Sequence, residues 1–413
     1  MMFLTIIKKQ LKRFLLLLNK LMNQNDYWFY KGLTKIDLLI YDDIFPHPGS
    51  GFRFEEYTVL LSVFRKSKIL MIPTAYALVK TSIENHKIHV NDFKLLNNEL
   101  ISKLKFKKGL ININSKLFYC VFINNIYANL NLLEKNKIPF VFTLYPGGGF
   151  QVYDASSDLK LKKVLTSKMF RKVIVTQLFT YEYLINNNFC KAENIEYIFG
   201  GVCPQVSLNK VLVNKKSYLI NKSTFDICFC AAKYTTKGED KGYDVFIEFA
   251  HNITNKFDFI RFHVIGGFAD NDIDVKLLKD KIQFYGYQNF DDLNILYKNM
   301  DVIVSPNKAF ILGKGAFDGF PLGTVVEAAL NGVVALISDE LKQNDIFKPN
   351  EELIIIESKS SSIEKQIVDL IHHPEKLYMI SEKGREKFMK VYSNEIQMKP
   401  RIEILQKEIE KYK

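Results

Sequence analysis

The chain is poor in the features that mark disulfide-stapled, metal-binding and membrane-spanning proteins. Its five cysteines, Cys120, Cys190, Cys203, Cys228 and Cys230, form no CxxC pair. An odd count in a chain of 413 residues argues for reduced thiols rather than a disulfide framework. The histidines lack HExxH or any other zinc spacing, and His372-His373 precedes Pro374 in an apparent loop. No metal site is expected. There is no run of five or six basic residues and no RNA-binding motif, and the net charge of +12 is spread along the chain. That disfavours a nucleic-acid reader and leaves phosphorylated small molecules and acidic membrane surfaces as suitable partners. A bilayer-crossing run of about 20 apolar residues is also missing. The nearest approach, MMFLTIIKKQLKRFLLLLNKLMNQ, is broken by Lys8, Lys9, Lys12 and Arg13, and no small-residue cleavage site follows it. It reads either as a basic amphipathic helix lying on an anionic membrane or as an ordinary first helix. No internal repeat of 20–50 residues is evident.

What the chain does have is apolar material, 47% hydrophobic and 13% aromatic, enough for large cores. Apolar runs alternate with amphipathic stretches: KIDLLIYDDIF, KILMIPTAY, LFYCVFINN, IPFVFTLYPGGGF and KVIVTQLF in the first half, then TFDICFCAAK, FIRFHVIGG, IQFYGYQ, DVIVSPN, VVALISD and ELIIIES. This pattern predicts parallel sheets with helices on both faces, an α/β fold of two Rossmann-like domains. Around residues 204–223 the sequence turns polar and basic with weak periodicity. The expected division is a first domain over 1–205, a linker over 206–222, a second domain over 223–385 and a C-terminal helix over 386–413 that packs back on the first domain. Ligands of such sheets sit at the carboxyl ends of the strands.

One stretch carries chemistry: FDGFPLGTVVEAALNG, residues 317–332. It follows the strand DVIVSPN, so it lies where a ligand would bind. Gly323 and Thr324 open a helix that Gly332 ends. A helix start offers unpaired N–H groups and partial positive charge, which suits phosphate. Gly319 lets the backbone approach a ligand. Asp318 can accept hydrogen bonds from hydroxyls, and Glu327, about one turn into the helix, can face the same crevice. Such a set fits a ligand with phosphates in the middle and hydroxyl-rich groups at both ends, as in a sugar nucleotide. The same residues also read as a plain capped helix with two solvated acids.

FDGFPLGTVVEA resembles the acid–loop–acid signature of retaining GT-B glycosyltransferases of the family 4 type, also called group 1. The first acid is Asp318 where the family has Glu, and the spacing to Glu327 is one residue longer. The resemblance continues through CAAKYTTKGEDKGYDVFIEFA, where Lys233 and Lys241 match the two basic positions and Lys237 competes with them. It continues through FHVIGG at Gly266 and Gly267, and through IQFYGYQNFDDLNILYKNMDVIVSPN at Gly286, Tyr287, Asp301, Ser305 and Pro306. The first half matches more loosely. There DDIFPHPGSGFRFEEY is similar to the family's first glycine-rich loop, with Gly49, Gly51 and Arg53 as candidate contacts. In TLYPGGGF, Tyr145 stands where many relatives have a donor-contacting His, a role that a tyrosine does not inherit, and Gly147, Gly148 and Gly149 form a flexible, close-approach loop.

The resemblance implies a metal-independent glycosyltransferase (hexosyltransferase-like) with no cofactor, the nucleotide sugar being a substrate. Lys233 and Lys241 would neutralise the donor diphosphate, Asp318 would hold sugar hydroxyls and Glu327 ribose hydroxyls. Gly266, Gly286, Tyr287, Gly319, Phe320, Leu322, Gly323 and Thr324 would line the donor site. Acceptors would be surface-polysaccharide, lipid-linked or lipopolysaccharide glycans, met in the cytoplasm or on the inner face of the membrane. A sugar phosphorylase or nucleotide-sugar epimerase on the same fold, or a non-catalytic basic binding protein, is the alternative. Asp272-Ile-Asp274 formally reads DxD, a metal–nucleotide motif of another glycosyltransferase fold, but its setting predicts a solvated helix start.

Overall fold

The computed structural model describes residues 27–79, 82–204, 215–278 and 280–412. The basic N-terminal stretch and residues 206–214 of the expected linker lie outside them. The described chain forms two compact units. The first comprises the residues up to Cys120 with Asn129–Val141 and the stretch from Ile404; the second comprises Val121–Ala128 and Phe142–Glu403.

In the first unit, β1 (Tyr27–Tyr30), β2 (Ile36–Asp42), β3 (Ser67–Met71), β4 (Leu104–Phe106), β5 (Gly109–Asn112) and β6 (Ser115–Val121) follow in chain order. Four of them lie side by side as β4-β3-β2-β6, all parallel. Strand β2 is central and covered on both faces, which explains its continuous apolar run IDLLIYD. The helix Gly51–Val63 follows it. β1 and β5 form a separate two-stranded parallel ribbon.

The chain continues with β7 (Phe140–Leu144), β8 (Phe170–Val175) and β9 (Ile195–Tyr197). It then builds a six-stranded parallel sheet from β10 (Phe225–Ala231), β11 (Ile260–Gly266), β12 (Ile282–Phe284), β13 (Val302–Ser305), β14 (Val334–Ser338) and β15 (Ile354–Ile356). Their order is β12-β11-β10-β13-β14-β15. Counted from β10, this is the doubly wound Rossmann order, and its reversal point lies between β10 and β13.

Side chains alternate across this sheet as the pleat demands. Phe225, Ile227, Phe229 and Ala231 enter one core together with Val302, Val304, Val334 and Leu336. Cys228, Cys230, Ile303, Ala335 and Ile337 enter the other. The helices Tyr243–Ile253 and Ser360–His372 cover the first core; the second lies under the helix Gly323–Leu330 and the end of Pro374–Val391. Of the expected linker, Tyr218 is buried in the first core, and Lys215 and Lys222 reach carbonyls and carboxylates at the amino ends of β10 and β13. These residues belong to the second unit's packing, because the sheet's amino-end charges need partners.

Candidate active site

The reversal point places the carboxyl ends of β10 and β13 next to each other, and the segments that leave them converge. Gly242 has φ 71°, and a Cβ there would stand 2.1 Å from the carbonyl oxygen of Pro306. Only glycine allows this approach. It seats the turn carrying Lys241 against the end of β13. The Lys241 side chain is buried there, with Nζ 2.5 Å from Asp318 Oδ2. Asn307 Nδ2 donates to the same oxygen at 3.0 Å. Lys241 Nζ also lies 5.2 Å from the centre of the Tyr234 ring and 3.7 Å from Asp240 Oδ2. Asp318 keeps a third of its side chain open to solvent.

The loop after Asp318 is held by its neighbours. Gln177, at the end of the segment after β8, accepts from Phe320 N at 3.1 Å and donates to Phe320 O at 3.4 Å. Its side-chain amide thus takes the place of a strand partner. Gly319 packs against that amide. Gln343 donates to Asp318 O at 3.2 Å. Phe317 meets Phe150 and Phe179 edge-on at 5.8 and 5.5 Å, and the Phe320–Pro321 peptide is cis. A cavity of about 40 Å³ opens among Asn307, Asp318, Phe320, Leu322, Ser338 and Gln343.

The helix Gly323–Leu330 starts without a side-chain cap at Leu322. Its first N–H groups are therefore available to an anion. Thr324 Oγ1 donates to Cys230 O at 2.9 Å, which pins the helix tip over the end of β10. Glu327 lies further along this helix, partly buried, and its carboxylate has no hydrogen-bond or ion-pair partner among the described residues. Burial pushes it up to about 7. A carboxyl with reduced access to water and no protein donor is disfavoured in its charged form, so the position suits a ligand that brings hydroxyl donors.

The remaining candidates fall into three groups. Lys233 pairs through Nζ with Asp272 Oδ1, while Asp272 Oδ2 accepts from Ala269 N at 2.8 Å. This corrects the expectation of a solvated helix start for Asp272 only, since Asp274 is exposed and precedes the short helical turn Lys276–Leu278. The turn after Gly266-Gly267 folds back toward the end of β10, so Asp272 is enclosed as the partner of Lys233, and Asp274 caps Lys276 N at 3.0 Å. Lys237 is exposed. Gly266 N donates to Gly286 O at 2.9 Å, which joins the two glycine turns. Tyr287 is exposed beside Gly267.

In the first unit, Gly49 N donates to His47 Nδ1 at 2.9 Å, and Gly51 opens the helix after β2. Arg53 is buried, its Nη1 2.6 Å from Asp43 Oδ1 and 3.2 Å from Asp42 Oδ2, with Nε donating to Ser50 Oγ at 2.9 Å. Its guanidinium ties the glycine-rich loop to the end of β2.

Tyr145 is buried, 6.0 Å from the Phe122 ring. The glycines 147–149, expected to be flexible, all have positive φ, and Gly148 and Gly149 fit closely against Phe122 and Asn124. At Gly148 and Gly149 that freedom is used for fit, since side chains there would collide. Sequence reasoning missed Asn307, Gln177, Gln343 and Asp272 as partners of the site. Only Asn307 had a signal, its place directly after the strand-ending Ser305-Pro306.

The chain resembles solved structures that share this architecture. A glycosyltransferase from Rickettsia africae ESF-5 matches at 15% identity with a TM-score of 0.63, covering 91% of this chain and 99% of that one. Anabaena HepE, solved in complex with UDP and glucose, matches at 12% identity with a TM-score of 0.59, covering 91% and 99%. A sucrose-phosphate synthase from Thermosynechococcus elongatus matches at 14% identity with a TM-score of 0.57, covering 91% and 98%. The fold is the GT-B arrangement of two Rossmann-like domains. Residues 215–387 match the family model of glycosyl transferases group 1. No curated protein matches it.

Proposed function

We propose that this enzyme moves a sugar, with retention of configuration, from a nucleotide-sugar donor to a glycan acceptor of the surface-polysaccharide, lipid-linked or lipopolysaccharide kind. The observation that carries the reading is the meeting of Lys241, Asn307 and Asp318 within hydrogen-bond distance at the sheet's reversal point, beside an uncapped helix start. HepE, a structural relative, is solved with UDP-glucose, which supports a nucleotide-sugar donor here. In this reading Lys241 and Lys233 meet the diphosphate together with the N–H groups of Gly323 and Thr324. Positive charge is then supplied where the leaving group gains negative charge, and no metal is called for. Asp318, positioned by Lys241 and Asn307, takes the donor-sugar hydroxyls. Glu327 accepts from the ribose hydroxyls. The glycosyl–oxygen bond to the diphosphate breaks as the acceptor oxygen bonds to the anomeric carbon on the same face, and the leaving phosphate takes the acceptor's proton.

The test is a panel of UDP-, GDP-, dTDP- and ADP-sugars read by thermal shift, since a ligand that binds only the folded state raises its stability. Release of nucleotide with the selected donor is then measured with and without acceptor glycans. A donor that raises Tm and releases nucleotide on acceptor addition supports the reading. Release of sugar phosphate, or epimerisation without transfer, overturns it.

A further inference from the structure

Outside the site, the most unusual surface of the first unit is the ribbon of β1 and β5. Its register pairs Trp28 with Leu110 and Tyr30 with Asn112. Because side chains alternate along a strand, Trp28, Tyr30 and Leu110 share one face. That face is bare: Trp28 is 56% exposed, Leu110 61% and Tyr30 46%. On the opposite face Ile111 is buried and Phe29 half-buried, while Tyr27, its ring 5.2 Å from that of Phe29, is 39% exposed. The chain then leaves β1 through Lys31-Gly-Leu-Thr-Lys35, where Leu33 is fully exposed between two lysines.

Positive charge surrounds the ribbon. Residues 27–37 and 104–116 hold six lysines, at 31, 35, 105, 107, 108 and 116, against one acid, Asp37. That acid is already paired with Lys116 at 2.8 Å. The parallel register sets Lys107 and Lys108 before the start of the ribbon and Lys31 and Lys35 beyond its end. Lys107 Nζ stands 4.3 Å over the ring of Tyr27, on the face opposite Trp28. Tryptophan and tyrosine flanked by lysines is the composition that settles at a lipid headgroup layer, with rings at the boundary and ammonium groups among the phosphates. A protein partner would more usually be met by a face depleted in lysine.

We propose that the β1–β5 ribbon, with Leu33 at its tip, is a membrane-docking surface for anionic phospholipid. The proposal does not depend on which sugar is transferred, or on transfer at all, so its failure and that of the glycosyl-transfer reading are separable.

The chain supplies its own probe, because Trp28 is its single tryptophan. The full chain is mixed with phosphatidylcholine vesicles, with or without phosphatidylglycerol, and the tryptophan emission is recorded beside vesicle flotation. The expected result is flotation and a blue shift with the anionic vesicles only, with quenching by brominated acyl chains and reversal by salt. Lys105→Glu/Lys107→Glu/Lys108→Glu, checked for folding by circular dichroism, is expected to lower vesicle affinity roughly a hundredfold, since each lysine near such a surface contributes about fivefold. Flotation without any change at Trp28 would assign the contact to another segment, such as residues 1–26, and overturn the proposal. So would an absence of vesicle binding, a Trp28 already shielded from acrylamide without lipid, or a blue shift that follows protein concentration alone.

Discussion

The two ends of β10 and β13 both carry acids and lysines, yet they are built to opposite rules. At the amino ends every carboxylate is enclosed by donors. Asp301 accepts from Tyr218 N at 2.9 Å and from Asp226 N at 2.8 Å, and Lys222 Nζ lies 2.6 Å from both Asp226 Oδ2 and Asp301 Oδ2. His263 Nε2 and Thr224 Oγ1 complete the set on Asp226 at 2.8 and 2.6 Å. Against the upward push of burial, bonds from His263 and Lys222 hold the Asp226 carboxyl well below the usual range. Burial raises Asp301, and Lys222 offsets this only in part. At the carboxyl ends two carboxylates are left less enclosed: Asp318, though paired with Lys241, keeps solvent access, and Glu327 is partly buried with no partner among the described residues. Closed charges fasten a sheet together, whereas open ones await a ligand.

Substitutions at the two ends should therefore fail in different ways. The largest effect is expected at the open end. Asp318→Asn should lower kcat/KM for transfer about a thousandfold, roughly 4 kcal/mol of transition-state stabilisation, while Tm moves by no more than a few degrees. An equally large loss of Tm would erase the contrast. Next comes the closed end, where Asp301→Ala strips a buried cation of one partner and should cost about 3–5 kcal/mol in denaturant unfolding. A mild effect would mean that Asp226 alone suffices for Lys222. Third, Lys233→Ala should weaken donor binding about 10–100-fold by calorimetry, with Lys237→Ala near wild type. The reverse result would exchange the two lysines.

The smallest effect is the most diagnostic. The folded-state value of Glu327 is raised to about 7 from an ordinary 4.5, so its ionised form works against folding. Below the ordinary value both states are protonated and nothing is lost; above about pH 7 the penalty is complete. Glu327→Gln should accordingly stabilise the protein by about 1–2 kcal/mol at pH 8, less at pH 6 and not at all near pH 4, while donor affinity falls. A stabilisation independent of pH would show that desolvation is not the cause.

Much of this architecture was legible in the residues. Apolar runs such as TFDICFCAAK and VVALISD could hardly be anything but buried parallel strands, and the helix start after FDGFPLG was marked by its own glycine and proline. What could not be read was anything that depended on the sheet being assembled. Lys241 and Asp318 meet across 77 positions, and Gln177 clasps Phe320 across 143. No local pattern encodes such pairs, because strand order brings them together. Asp272 was misjudged for the same reason: its neighbours in sequence suggested solvent, and its neighbour in space is Lys233. Glu327 was visible as an acid on a helix, but its lack of a partner is a property of the packed surroundings.

Gly242 adds a practical warning for anyone scanning this protein by mutagenesis. Its missing side chain is what allows Lys241 to reach its station, so a variant there would report as a chemical defect although the glycine contributes no functional group. Kinetics alone would then credit reactivity to a residue whose whole contribution is clearance.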